Sequence, residues 1–187
     1  DGTAITSTVD GNGWVKAIRN QSGALTKFEH DALGRTTRVD HSQSDQQTWN
    51  PTVQAFEQVS SSEYGLEAGH WRRTSSTGNA RSYTYYDALW RPILVREFDA
   101  GDVGQTQRFR RSAYDFEGRP VFHSYPARQP TTTRGHWVEY DALGRTTATA
   151  EDSERGLITT TTDYLRGGSI RRTSPSGLQT VTAHWLA

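Results

Sequence analysis

Asp31-Ala32-Leu33-Gly34-Arg35-Thr36-Thr37 is repeated letter for letter as Asp141-Ala142-Leu143-Gly144-Arg145-Thr146-Thr147. Internal repetition on this scale marks an array of small units that stack on one another. Around the identical pair stands a looser template, aromatic-Asp-x-x-Gly-Arg. It is met at His30-Asp31 to Arg35, Tyr86-Asp87 to Arg91, Tyr114-Asp115 to Arg119, and Tyr140-Asp141 to Arg145. The four aspartates lie 56, 28 and 26 residues apart, so the first interval has room for a worn copy. One is there: Gly69-His70-Trp71-Arg72-Arg73-Thr74-Ser75-Ser76-Thr77-Gly78 echoes Gly168-Ser169-Ile170-Arg171-Arg172-Thr173-Ser174-Pro175-Ser176-Gly177, with Tyr64 and Tyr164 shortly before each. Val9-Asp10-Gly11-Asn12-Gly13 makes a further copy, bringing the array to six or seven hairpin repeats across residues 1–187.

The template has a direct physical reading. Residues before the Asp alternate in polarity, as in Arg81-Ser82-Tyr83-Thr84-Tyr85-Tyr86 and Gly135-His136-Trp137-Val138-Glu139-Tyr140, and residues after the Arg do so in Pro92-Ile93-Leu94-Val95-Arg96-Glu97-Phe98. Such alternation is the mark of strands. Between them an Asp carboxylate can accept from backbone N–H groups two residues on, and Gly supplies the left-handed conformation that closes a type I turn with a bulge. Each hexamer is then a hairpin tip. Ser22-Gly23, Gly78-Asn79 and Gly101-Asp102 supply turns at the opposite strand ends. The expected fold class is all-β: tandem antiparallel β-hairpins that pair edge to edge into a twisted, curved strip, since a two-stranded unit alone is marginal. Residues 41–63 are expected as a loop or insertion, with His41 to Pro51 almost wholly polar; Gln129 to Gly135 is a second loop. The best helix candidate, Gln54 to Val59, is too short to count.

Composition narrows the function classes. Twenty-one acidic and twenty-one basic residues cancel, which removes the electrostatic case for nucleic acid or an anionic membrane as partner. Only Lys16 and Lys27 are lysines; the other basic residues are arginines, whose flat guanidinium groups stack on rings and fork onto carboxylates. Hydrophobic residues make up 33% and aromatics 11%, so the core should lean on rings rather than aliphatic bulk. There is no Cys for a disulfide or thiolate site and no apolar run long enough for a membrane span. The chain has no Met, begins at Asp1 and stops in mid-pattern at Ala187, and is expected to be a segment of something longer.

Enzyme signatures are missing: no His-Glu-x-x-His, Gly-x-Ser-x-Gly or P-loop occurs, and Gly11-Asn12-Gly13 lacks the third glycine of a dinucleotide turn. Histidines 30, 41, 70, 123, 136 and 184 are scattered; His123 and His136 could share neighbouring strands, but ordinary strand packing is the expectation and no metal or cofactor is implied. The repeated aspartates have turn duties, and Glu97, Asp99, Glu151 and Asp152 read as solvated strand-end residues rather than a glycosidase pair. The rival reading is a binding module, because six tryptophans could hold sugar rings. Trp49, in the polar loop, is the first suspect for ligand binding, followed by Trp71.

Tyr140-Asp141-Ala142-Leu143-Gly144-Arg145 and its variants resemble the YD repeat of the Rhs-type family, which includes bacterial Rhs polymorphic toxins, the B and C components of Tc toxins, wall-associated proteins and the YD shell of teneurins. The resemblance implies a β-strip wound into a hollow β-shell, which in the toxins encloses an effector polypeptide, and an exported protein, secreted or at the cell surface. Its partners would be adjacent YD repeats of the parent protein and an enclosed toxin polypeptide; a glycan belongs to the rival reading. Carried over residue by residue, it gives Asp31, Asp87, Asp115 and Asp141 turn capping, Gly34, Gly118 and Gly144 the bulge, and Arg35, Arg91, Arg119 and Arg145 pairing between repeats. Tyr86, Tyr114 and Tyr140 open their tips. The sequence departs from the pattern at His30, where Tyr is usual, and at Trp90, where Gly is usual, so that turn needs another geometry or a strained Trp. Nothing resembles the family's self-cleaving segment or a toxin tip.

Overall fold

Alternation in the sequence becomes alternation in burial. Along Leu25–His30 the half-buried Thr26, Phe28 and His30 alternate with the exposed Lys27 and Glu29, whereas Ala80–Tyr86 is covered on both faces near its end, with Thr84 and Tyr85 both buried and Tyr85 without exposed surface. In the computed structural model, which describes residues 4–42 and 49–183, fifteen strands account for almost all regular structure. By packing the chain divides into two units, 1–108 and 109–187.

In the first unit, β1 (Thr6–Val9), β2 (Val15–Arg19), β3 (Leu25–His30), β4 (Thr36–Ser42), β5 (Thr52–Gln58), β6 (Trp71–Thr77), β7 (Ala80–Tyr86) and β8 (Pro92–Asp99) each pair antiparallel with the next in chain order. In the second, β9 (Arg108–Tyr114), β10 (Pro120–Ser124), β11 (Gly135–Tyr140), β12 (Thr146–Ser153), β13 (Gly156–Tyr164), β14 (Ser169–Thr173) and β15 (Gln179–Ala183) do the same. Meander order follows where hairpins are joined by short turns, and the longer connections 59–70 and 125–134 likewise return the chain to the neighbouring strand. One helical turn, α1 (Val103–Thr106), follows Gly101-Asp102, with the Asp102 carboxylate accepting from the Gln105 amide at 3.2 Å.

Burial is sparse, as a thin sheet demands. Val59, Tyr85 and Leu94 are buried in the first unit, and Phe109, Phe122 and Ala150 in the second; Tyr85 and Phe109 are the largest side chains fully enclosed. Rings therefore hold the interior, in line with the composition.

Part of the stretch expected as a loop or insertion, 41–63, is regular strand. His41 and Ser42 end β4, and Thr52–Gln58 is β5, matched residue for residue to β6 from Thr52↔Thr77 to Gln58↔Trp71. All but Val59 of the best helix candidate, Gln54 to Val59, thus lie in β5. The physical reason is an inverted pattern: Thr52, Gln54 and Phe56 face inward while Val53, Ala55 and Glu57 face out, so polarity did not report the strand. Residues 43–48 of the polar loop lie outside the described residues, as do His184 and Trp185.

Candidate functional site

The four full hexamers build one object four times. In each tip the Asp N–H donates to the Arg carbonyl and the N–H of the residue at the Gly position (Gly34, Trp90, Gly118, Gly144) donates to the Asp carbonyl, at 2.9–3.1 Å. One carboxylate oxygen, Oδ1, accepts two amides: Leu33 and Arg35 for Asp31, Leu89 and Arg91 for Asp87, Glu117 and Arg119 for Asp115, Leu143 and Arg145 for Asp141, all within 2.9–3.0 Å. The other, Oδ2, takes the Arg Nε at 2.6 or 2.7 Å. The flanking strands slip register beside each tip, the bulge that such a turn requires.

Gly34, Gly118 and Gly144 have φ of +79°, +86° and +77°. Trp90 keeps the same turn and the same hydrogen bonds, with φ of +64°. Of the two outcomes open for this tip, the strained Trp is the one observed. Three rings stand around it: Phe56 at 5.3 Å, Trp71 at 5.2 Å and Tyr86 at 6.4 Å between centroids. Stacking of this kind adds roughly 0.5–1.5 kcal/mol per pair beyond area burial, enough to offset a left-handed Trp at about 1–2 kcal/mol.

The arginines act within and between repeats by different parts. Their charge pairs with the Asp of the same tip, whereas the flat face of the guanidinium covers a ring of the following repeat: Arg35 over Phe56 at 4.8 Å, Arg119 over Tyr140 at 4.7 Å, Arg145 over Tyr164 at 4.1 Å. Between repeats, the contact these three arginines make is thus a cation–π contact. The tyrosines answer it. Tyr140 Oη donates to the Pro120 carbonyl at 3.0 Å and Tyr164 Oη to the Thr146 carbonyl at 3.1 Å, each the residue just past the previous Arg. Tyr114 closes β9 opposite Pro120. In the first copy Asp10 holds the amides of Asn12 and Trp14 at 2.9 and 3.0 Å, and Trp14 stands where Arg would, tilted against His30 at 5.7 Å.

These contacts set the electrostatics. Partial burial works against the charge on Asp31, Asp87 and Asp115 but is outweighed by hydrogen bonds from the arginine and the turn amides; at Asp141 the Arg145 bond itself leads. All four carboxyls are held below the ordinary aspartate range. A depressed folded value contributes stability that is complete above the unfolded pKa of about 3.9 and lost as pH falls through it toward the folded value. Urea midpoints are therefore expected to be level between about pH 7 and 5 and to fall below about pH 4. Asp141→Asn, which keeps the amide acceptor and removes the charge, should make that acid limb shallower; an identical limb would contradict the clamp.

Gly144→Val is a second test. It places a branched residue at φ +77° and a Cβ 3.4 Å from the Arg119 guanidinium. The expected loss is about 1–2 kcal/mol, read as a lower melting temperature.

The two suspected ligand tryptophans are kept apart. Trp49 is 60% exposed and precedes Asn50, which lies against Gly78 at one end of β6. Trp71 opens the other end of β6 and is stacked on Phe56 at 5.3 Å and 16°. Beside it runs a groove of about 480 Å³ lined by Leu66, His70, Trp71, Tyr86, Trp90 and Ile93.

A polar knot that the sequence reading did not single out lies behind this groove. The Arg72 guanidinium forks between Glu63 at 2.9 Å and Glu57 at 2.8 Å, with Arg72 directly opposite Tyr85 in register. Tyr64, at φ +51°, meets Tyr85 edge-on at 5.7 Å. Burial pushes the Tyr85 phenol well above its ordinary range. For Arg72 burial acts in the opposite sense and is outweighed by the Glu57 bond, so its charge is secured. The available signal was Trp71-Arg72 in alternation, which puts Arg72 on the Tyr85 face once the register is known. Among the described residues no group of three or more His, Asp and Glu is arranged to hold a metal ion.

No family model matches the chain. No curated protein matches it either. Solved structures do. A Photorhabdus luminescens Tc holotoxin pore carrying a TccC3 mutation aligns with 96% of this chain at TM-score 0.62 and 16% identity. The TcdB2-TccC3-TEV crystal structure gives the same coverage, score and identity, and TcdB2-TccC3 without its hypervariable C-terminal region gives 96%, 0.62 and 17%. This chain spans 9–10% of the length of those chains. At such identity the likeness is one of fold: the hairpin strip described above is the fold of a stretch of these Tc toxin chains.

Proposed function

We propose that this chain is a wall segment of a larger β-shell that encloses a toxin or effector polypeptide, and that it is structural rather than catalytic. The observation that carries this reading is the interlock between tips: Asp-clamped Arg35, Arg119 and Arg145 lie over a ring of the next repeat, and at Arg119 and Arg145 the tyrosine there reaches back to the carbonyl behind that Arg. Such a device propagates one geometry from hairpin to hairpin, as a wall requires and an active site does not. The fold likeness to TcdB2-TccC3 supports it. So do the bare leucines at the tips, Leu33, Leu89 and Leu143, which are 75%, 67% and 77% exposed, as the edge of a wall meeting more protein would be. On this reading the partners are neighbouring repeats and an enclosed polypeptide, and the protein acts outside the cell that makes it.

Limited proteolysis of the full-length parent protein tests the proposal. A polypeptide protected in the native protein and digested once the shell is opened by denaturant supports it. Equal digestion before and after opening overturns it.

The exposure of Trp49 favours a second reading, a carbohydrate- or cell-surface-binding module. Titrating the chain with cell-wall sugars while following tryptophan fluorescence separates the two. The wall reading expects no saturable change, and saturation that disappears in Trp49→Ala would establish the module instead.

A further inference from the structure

The register of the second unit sets two histidines face to face. His123 on β10 pairs directly with His136 on β11. Ser112 on β9 pairs with His123, and Glu151 on β12 pairs with His136. Directly paired residues point to the same side of a sheet, so Ser112, His123, His136 and Glu151 form one row across four strands.

The two rings are anchored from outside. His123 Nδ1 lies 3.0 Å from Ser112 Oγ, and His136 Nδ1 lies 3.4 Å from Glu151 Oε1. Each imidazole is held through Nδ1 by a residue on the strand away from the other, which leaves Nε2 as the ligating nitrogen of both. Metal-binding histidines are oriented in this way, with the second ring nitrogen on a carboxylate or hydroxyl that fixes tautomer and direction. Solvent reaches the row: His123 is exposed, and the His136 and Glu151 side chains are 35% and 57% exposed.

We propose that His123 and His136 form a two-imidazole site for a late divalent transition metal ion, Cu²⁺, Ni²⁺ or Zn²⁺, with Ser112 and Glu151 as positioning residues and water completing the shell. The spacing suits it. Opposed Cβ atoms in adjacent strands are about 4.5–5.5 Å apart, and one ion joins two imidazole nitrogens at roughly 2.0–2.1 Å each. Imidazole donors select these ions over Mg²⁺ and Ca²⁺, which require oxygen ligands. An ion held there bridges β10 to β11 and stabilises the second unit. The proposal stands apart from the wall reading, since a surface chelate neither needs nor implies an enclosed polypeptide.

Calorimetric titration of the untagged chain with Cu²⁺, Zn²⁺ and Mg²⁺ is the test, with melting temperatures taken in Zn²⁺ and in chelator. The expected result is one Cu²⁺ or Zn²⁺ per chain and none of Mg²⁺, with affinity at least about tenfold weaker in His123→Asn and in His136→Asn. Glu151→Gln should weaken binding by about tenfold while leaving the stoichiometry intact. Zn²⁺ should raise the melting temperature of the unaltered chain and not that of either histidine variant. Should His136→Asn fail to fold in chelator, His123→Asn, at an exposed position, carries the test. Absence of binding up to millimolar metal, or binding that survives either histidine substitution, overturns the site.

Discussion

Gly135→Ala is expected to destabilise the protein by about 3 kcal/mol, the upper end for overpacking, because the clash is with backbone. A Cβ at Gly135 would sit 2.2 Å from the His123 carbonyl oxygen and 2.7 Å from Ser124 Cα. Neither atom can swing away as a side chain end could, so β10 and β11 must separate where Ser124 pairs with Gly135. The strands are joined by a long connection, and this close approach helps fix their register. Urea unfolding reads the loss directly. Gly104→Ala is the matched control: its Cβ would meet nothing within 4 Å, and its midpoint should stay within about 0.5 kcal/mol of the unaltered chain. A Gly135→Ala midpoint equal to that control would contradict the packing described.

Tyr85→Ala should cost about 3–5 kcal/mol, the range for deleting a fully buried ring. Tyr85 has no exposed surface and is met by Tyr64 edge-on and by His70 at 5.6 Å. Its loss would open a void under the Val59–His70 connection and loosen the Glu63 to Arg72 pairing opposite. Tyr85→Phe keeps the ring and should fall within about 1 kcal/mol. If the two variants melted together, the buried ring would not be the anchor of the first unit.

How much of this could be read from residues alone divides along physical lines. The all-β class was legible because the hexamers state their own chemistry: an acceptor, a left-handed position and a fork donor at fixed spacing between alternating segments. Trp90 was legible only as a question. Its tip needs a positive φ, which sequence could see, but the compensation comes from Phe56, on a strand the repeat did not place, and from Trp71, whose register against that strand the repeat does not give. β5 was hidden because its inward face is Thr52 and Gln54 as well as Phe56. The reach of Arg35, Arg119 and Arg145 to the next repeat's ring depends on the distance between tips, which only the sheet register supplies. For the same reason His123 and His136 could be named as possible neighbours, while their direct opposition required knowing how the 125–134 connection returns the chain.

The account rests on these hairpins lying side by side in chain order as part of a wall. A cryo-EM reconstruction of the full-length parent protein examines that claim most directly. The predicted result is β1 to β8 and β9 to β15 each running as consecutive antiparallel strands in chain order within a closed wall, with separate polypeptide density inside. A chain standing outside such a wall as a free-standing domain, or strands paired out of chain order, would contradict it.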